Sequence, residues 1–136
     1  MPRPNENKFD DLEKSYPDFL YLTYGFEINY GWYDLIEDFV IKASSYKNHV
    51  QIDQIKEKFG SLRIYASYNI DSYENDSNDK DQIENSINMV NNLIEEAMFK
   101  ASITCYLCGT QENVNKKISY VPICESCYEH TRNNKR

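Results

Sequence analysis

No apolar stretch in the chain approaches the roughly 20 residues that a membrane-spanning helix requires. The opening Met-Pro-Arg-Pro-Asn-Glu-Asn-Lys lacks the apolar run of a secretion signal. Both absences lead to an expectation of a cytoplasmic protein. There is also no glycine loop that would cradle a phosphate, no His-Glu metal pattern, and no set of nucleophile, base and orienting group. His49 stands alone, and Glu27, Asp34, Glu37 and Asp38 have no His close by in the sequence. Catalysis is left with a lone general base, Glu27 or Glu57, and one carboxylate without a partner is a thin basis for it. Internal repeats are missing as well.

What is present suffices for a packed core, because 40% of the residues are hydrophobic and 14% aromatic, mostly Tyr. A length of 136 residues fits one modest core with a small appendage and is short for two ordinary domains. The formal net charge of −7 is uneven. From Cys105 onward five basic residues face three acidic ones, net +2, which leaves ten against nineteen, net −9, for residues 1–104. A phosphate backbone would be repelled by the larger part, so nucleic acid is a poor first choice of partner.

Residues 1–14 are polar, hold Pro2 and Pro4, and read as a flexible tail. Trp32, Leu35, Ile36, Phe39 and Val40 fall on one face of a helix running to about Ser44, with Gly31 just before it and acids near its start. Val50 to Ser67 changes to a period of two. Val50 and Ile52 alternate, then Ile55, Glu57 and Phe59 share a face, and Leu62, Ile64 and Ala66 alternate beyond a tight turn at Gly60-Ser61, which predicts a β-hairpin. Asp71 to Asp81 is acidic and polar and reads as a solvated loop. Ile83, Ile87, Val90, Ile94, Ala97 and Ala101 recur at steps of four and three and predict a second helix, leading almost directly into Cys105. The fold class that follows is α+β: a small antiparallel sheet, made of the hairpin with room for a third strand, packed by two helices. Residues 15–104 form this lobe, and residues 105–136 form a zinc ribbon with a basic tail.

The ribbon rests on the cysteines. Cys105-Tyr-Leu-Cys108-Gly109 and Cys124-Glu-Ser-Cys127 are separated by fifteen residues, within the roughly 15 to 20 of a four-cysteine zinc site. In a reducing compartment such pairs are better explained as metal ligands than as disulfides. Each Cys-x-x-Cys turn aims two sulfurs at one point, so Cys105, Cys108, Cys124 and Cys127 are expected to hold one structural Zn²⁺ in a closed tetrahedron of thiolates. His130 is an alternative ligand, with a plain surface position as the simpler reading.

Lys56, Lys58 and Arg63 on the hairpin make the densest basic spot of an acidic lobe. They are either an anion- or partner-binding patch or a solvated strand face, and composition by itself favours the latter. Trp32, flanked by Tyr30 and Tyr33, is either a contact hot spot or core; core is the commoner outcome, and Trp32 is kept as a candidate contact.

The order Gly25-Phe-Glu-x-x-x-Gly31-Trp-Tyr-Asp-Leu-Ile, then Gln54-Ile-Lys-Glu-Lys-Phe-Gly-Ser-Leu-Arg-Ile-Tyr, then Cys-x-x-Cys-Gly and a closing Cys-x-x-Cys resembles a family of small proteins common in bacteriophage and prophage genomes, for which no activity is agreed. The resemblance spans about Tyr24 to Tyr128 without the acidic loop. Ser61 stands where the pattern often has Gly, and Leu62-Arg63-Ile64-Tyr65 where it has Leu-Arg-Phe-Tyr. The resemblance implies a functional surface at Lys56, Glu57, Lys58, Phe59, Gly60 and Arg63. The expectation is a non-enzymatic phage or prophage protein in the bacterial cytoplasm that binds a host or phage protein, for instance a component of anti-phage defence that it inhibits. The runner-up is a zinc-ribbon accessory factor in nucleic-acid transactions, with Lys116, Lys117 and the residues from Arg132 to Arg136 touching phosphate alongside the hairpin patch.

Overall fold

A computed structural model describes residues 6–68, 77–116 and 119–133. In chain order the elements are α1 (Glu6–Ser15), β1 (Phe26–Glu27), α2 (Tyr33–Ala43), β2 (Val50–Lys58), β3 (Ser61–Tyr68), α3 (Ser77–Ser102), β4 (Val114–Asn115), β5 (Ile123–Cys124) and α4 (Glu125–Asn133). Single 3-10 turns at Tyr30–Trp32 and Ser44–Tyr46 flank α2. The class is α+β, as expected, with the four cysteines gathered near the C-terminal side.

The two expected helices form where their periodicity put them. On α2, Ile36, Phe39, Val40 and Ala43 are buried along one face, while Asp34 in the first turn and Lys42 in the last complement the macrodipole. On α3, Ile83, Val90, Ala97 and Ala101 are buried, and the last three face the same core. Across the α2–α3 seam, Lys42 and Lys100 share the carboxylates of Asp38 and Glu96 at 2.9–3.8 Å.

The hairpin closes on a two-residue loop, Phe59 (φ 55°) and Gly60 (φ 82°), between the paired Lys58 and Ser61. Two successive positive φ angles are the mark of a type I′ turn, which matches the twist of the strands. A bulge between Ile52 and Gln54 lets Val50, Ile52 and Ile55 all reach the core although their spacing is two and then three. Ile55 therefore does not share its face with Phe59, which lies in the loop and is exposed.

Three expectations need correction. Residues 6–14 of the expected tail belong to α1, because Phe9 stacks on Phe26 and Tyr30 at 4.9 and 5.3 Å and Leu12 joins the core. The third strand exists, but β1 pairs with β2 in parallel, so the three-stranded sheet of order β1-β2-β3 is mixed rather than antiparallel. The acidic segment expected as a loop to Asp81 is already helical from Ser77, and its residues 71–76 lie outside those described. In the metal-binding unit, Cys124 ends β5 and Cys127 lies in the first turn of α4. The metal-binding unit is thus a cysteine turn, a short β4–β5 hairpin and a helix.

Two glycines fit this unit to the lobe. A Cβ on Gly31 would run into the backbone carbonyls of Cys105 and Tyr106, and one on Gly60 into the carbonyl of Tyr120. The approach at Gly31 is closed by Gly31 N–H donating to the Tyr106 carbonyl at 3.1 Å, while Tyr106 N–H donates to the Pro122 carbonyl at 2.8 Å.

Candidate functional site

The end of α3 delivers Cys105 into a turn stitched by Gly109 N–H to the Cys105 carbonyl at 2.9 Å and Cys105 N–H to the Thr110 carbonyl at 2.8 Å. Gly109, at φ 86°, supplies the left-handed step that ends this turn. On the other side, β5 and the start of α4 carry Cys124 and Cys127, and Cys127 N–H donates to Cys124 Sγ at 3.4 Å.

The four sulfurs all lie within 4.8 Å of one another, and Cys108 and Cys124 are 3.7 Å apart. Thiolates bound at about 2.3 Å to a tetrahedral ion are about 3.8 Å apart along each edge. The group can therefore hold one metal ion. His130, on α4, is not part of the cluster. Cys105 and Cys124 are buried, Cys127 is half-buried and Cys108 is exposed, so the site is rooted in the protein and reachable from one side.

Proton affinity is unequal among these thiols. Burial pushes Cys105 up, but N–H groups of Cys124, Cys108 and Leu107 outweigh it and bring the thiol down to about 7. Burial raises Cys108 and Cys127; Cys124 and Cys105 add to both, while the Thr110 backbone and Cys127 oppose it at Cys108. One thiolate is thus available near neutrality to begin coordination, and completing the site displaces the other protons.

Compared with known proteins, the chain matches no family model, no curated protein and no solved structure. Its function has to be read from its own geometry.

The residues proposed as a contact surface separate into two groups. Trp32 is fully buried, which removes it from any contact surface. Its indole packs edge-on against Tyr106 at 4.6 Å and its Nε1–H donates to the Thr104 carbonyl at 3.1 Å, so it anchors the chain entering the cysteine turn. Glu57 stands opposite Leu62 on the core side of the hairpin, and its carboxylate accepts from Gly60 N–H at 2.8 Å, closing the turn.

Lys56, Lys58 and Arg63 stay together on the outer face, where Lys56 is registered with Arg63 and Lys58 with Ser61. Among the described residues, none of the three has a carboxylate within ion-pair distance. The Nε of Arg63 is covered and finds no acceptor.

Sequence reading named Lys116 only in the nucleic-acid alternative and missed Tyr65 and Tyr120 as members of this surface. Tyr65 is 44% exposed beneath the Lys56 ammonium, and Tyr120 is 64% exposed. Lys116 Nζ donates to Ser61 Oγ at 3.4 Å across the junction. The alternation of β3 could have flagged Tyr65, but the other two reach the hairpin only through the packing of the metal-binding unit against Gly60.

No helix among the described residues is long and apolar enough to cross a membrane. Lys117, Lys135 and Arg136 lie outside the described residues.

Proposed function

We propose that this chain is a zinc-stapled interaction protein of the bacteriophage or prophage kind, which binds a host protein and inhibits it, with an anti-phage defence component as the fitting class of target. The observation that carries the reading is Phe59. It holds a left-handed backbone conformation, at φ 55°, and yet leaves its ring 70% exposed at the hairpin tip. A bulky residue there is strained by about 1–2 kcal/mol, and Asn or Gly would satisfy the turn without that strain. Strain combined with exposure points to a role outside folding.

The metal is Zn²⁺ on this reading, because four thiolates at tetrahedral spacing are the donor set of structural zinc. Four protein ligands close the coordination sphere and leave no position for a substrate, so the ion supports shape and not chemistry. The two carboxylates that could have served as a lone base are engaged, Glu57 with Gly60 N–H and Glu27 with the Gln54 side-chain amide at 2.9 Å.

A tagged pull-down from bacterial lysate tests the proposal, with the eluate analysed by mass spectrometry and metal content measured on the purified chain. One zinc per chain and one host protein retained through a high-salt wash is the expected result. Recovery of no specific protein would remove the reading.

A further inference from the structure

The lobe treats its cations in two ways. Lys42 and Lys100 are locked to Asp38 and Glu96. In the same acid-rich chain, Lys56, Lys58, Arg63 and Lys116 gather around the hairpin tip and, among the described residues, have no carboxylate partner. The rings among them are exposed, Phe59 at 70%, Tyr120 at 64% and Tyr65 at 44%. Lys58 lies over the Phe59 ring at 5.6 Å and Lys56 over Tyr65 at 6.0 Å, so aliphatic stems and rings share a floor from which the ammonium groups project. Aromatics beside Arg are the composition of contact hot spots.

We infer that the hairpin tip and the adjoining rim of the metal-binding unit form one docking surface, whose occupant is a short acidic, aromatic-bearing segment of a partner protein. The inference rests on the interaction reading above and names the chemistry of its partner. Carboxylates of such a segment would meet the cations that have no carboxylate partner among the described residues, and its aromatic groups would lie on Phe59, Tyr65 and Tyr120. A protein segment is favoured over a nucleic acid by reach. Charges are screened only beyond about 8 Å at physiological salt, and a polyanion longer than the patch would run onto the rest of residues 1–104, whose net charge is −9.

The surface is composite. Lys116 and Tyr120 belong to the segment between the two cysteine pairs, and the Tyr120 carbonyl sits against the Cα of Gly60. Binding therefore requires the metal, although the ion lies outside the contact.

Fluorescence anisotropy of a labelled random copolymer of glutamate and tyrosine, titrated with the zinc-loaded full chain, tests the surface. A single-stranded oligothymidine serves as the competing probe. The copolymer is expected to bind more tightly than the oligothymidine. Lys56→Glu combined with Lys58→Glu should weaken it by at least roughly tenfold, and chelation of the zinc should abolish the signal. Phe59→Asn should weaken binding while the melting temperature holds or rises, which separates a contact role from a folding role. Failure of the copolymer to bind, equal binding by the charge-reversed chain, or tighter binding of the oligothymidine would each overturn the inference.

The lysate pull-down separates the two levels. A host protein captured equally by the native and charge-reversed chains would leave the interaction reading standing and remove this surface. Capture of none by the native chain would remove the interaction reading itself.

Discussion

In the lobe, Phe19, Trp32, Ile36, Ile52, Ile55 and Leu62 are fully buried between the sheet and the helices α2 and α3. In the metal-binding unit the corresponding buried cluster is Cys105, Ile123 and Cys124, with Val114, Cys127 and Tyr128 leaning on it. One region removes a broad apolar core from water, and the other has little more at its centre than four cysteines that could hold a metal ion. They are nevertheless not separate. The seam runs through Gly31, Trp32 and Gly60, so these three residues are explained by docking rather than by contact with a partner. Lys56, Lys58, Phe59 and Arg63 on the hairpin are not used by that seam.

The strongest way to break the contrast is to take out the cross-link. Structural zinc in small four-ligand sites contributes on the order of 10 kcal/mol of apparent binding energy. Cys124→Ser, or chelation of the native chain, should unfold the β4–β5–α4 unit and lower the melting transition of the whole chain, since α3 ends only a few residues before Cys105. Calorimetry distinguishes the outcomes: a single lowered transition shows coupling, whereas two steps with the upper one unchanged would show that the lobe stands alone.

Trp32 tests the same coupling from the lobe side. Trp32→Ala should destabilise the chain by about 3–5 kcal/mol through the cavity it leaves. Trp32→Phe keeps most of the packing but strips the Thr104 carbonyl of its donor, for a loss of about 1–3 kcal/mol. Urea midpoints check both values. Zinc transfer to a colorimetric chelator should be faster in the alanine variant; an unchanged rate would mean that the seam does not reach the cysteine turn.

Gly60→Ala is the narrower probe. Its φ of 82° costs a side chain about 1–2 kcal/mol, and the added Cβ would displace the Tyr120 carbonyl. The hairpin should survive with lowered stability while the metal-binding unit shifts away from it. The Tyr120 ring resonances and the amide resonances of Lys116 and Tyr120 should move in NMR spectra while those of α2 stay in place.

Much of this was legible in the residues, and the rest was not, for identifiable reasons. Both long helices and the hairpin follow from local periodicity, and the cysteine spacing places the metal ligands together. The first helix was missed because Glu6–Ser15 offers only Phe9 and Leu12 as apolar positions, and Phe9 earns its place through rings more than fifteen residues away in sequence. A two-residue strand such as β1 has no pattern to read, and its parallel pairing is decided by the chain's route from Leu20, which also bridges Ile52. The helix beginning at Glu125 was hidden because Cys-x-x-Cys suits a loop and a helix start equally. At the surface, Lys56 and Arg63 were visible as charges, but their union with Lys116 and Tyr120 depends on tertiary docking.

The smallest expected effect lies where the lobe looks most electrostatic. Asp38 meets Lys42 at 3.0 Å and Lys100 at 3.3 Å, and the hydrogen bond from Lys42, opposed by burial and reinforced by Lys100, holds its carboxyl below the usual range. A carboxylate lowered in the folded state contributes stability that is present above its unfolded pKa, about 4, and is lost as the pH falls through the folded value. Both partners are well exposed, so solvent screens the pair, and Asp38→Asn should shift stability by no more than about 1 kcal/mol at neutral pH, less at high salt. The variant and the native chain should converge progressively as the pH falls from about 4 through the folded value. Denaturant midpoints measured at pH 7 and pH 3 check this. A loss at pH 7 comparable to that of Trp32→Ala would mean that the α2–α3 seam is held by charge, and the account of the lobe as a region held by burial would fail.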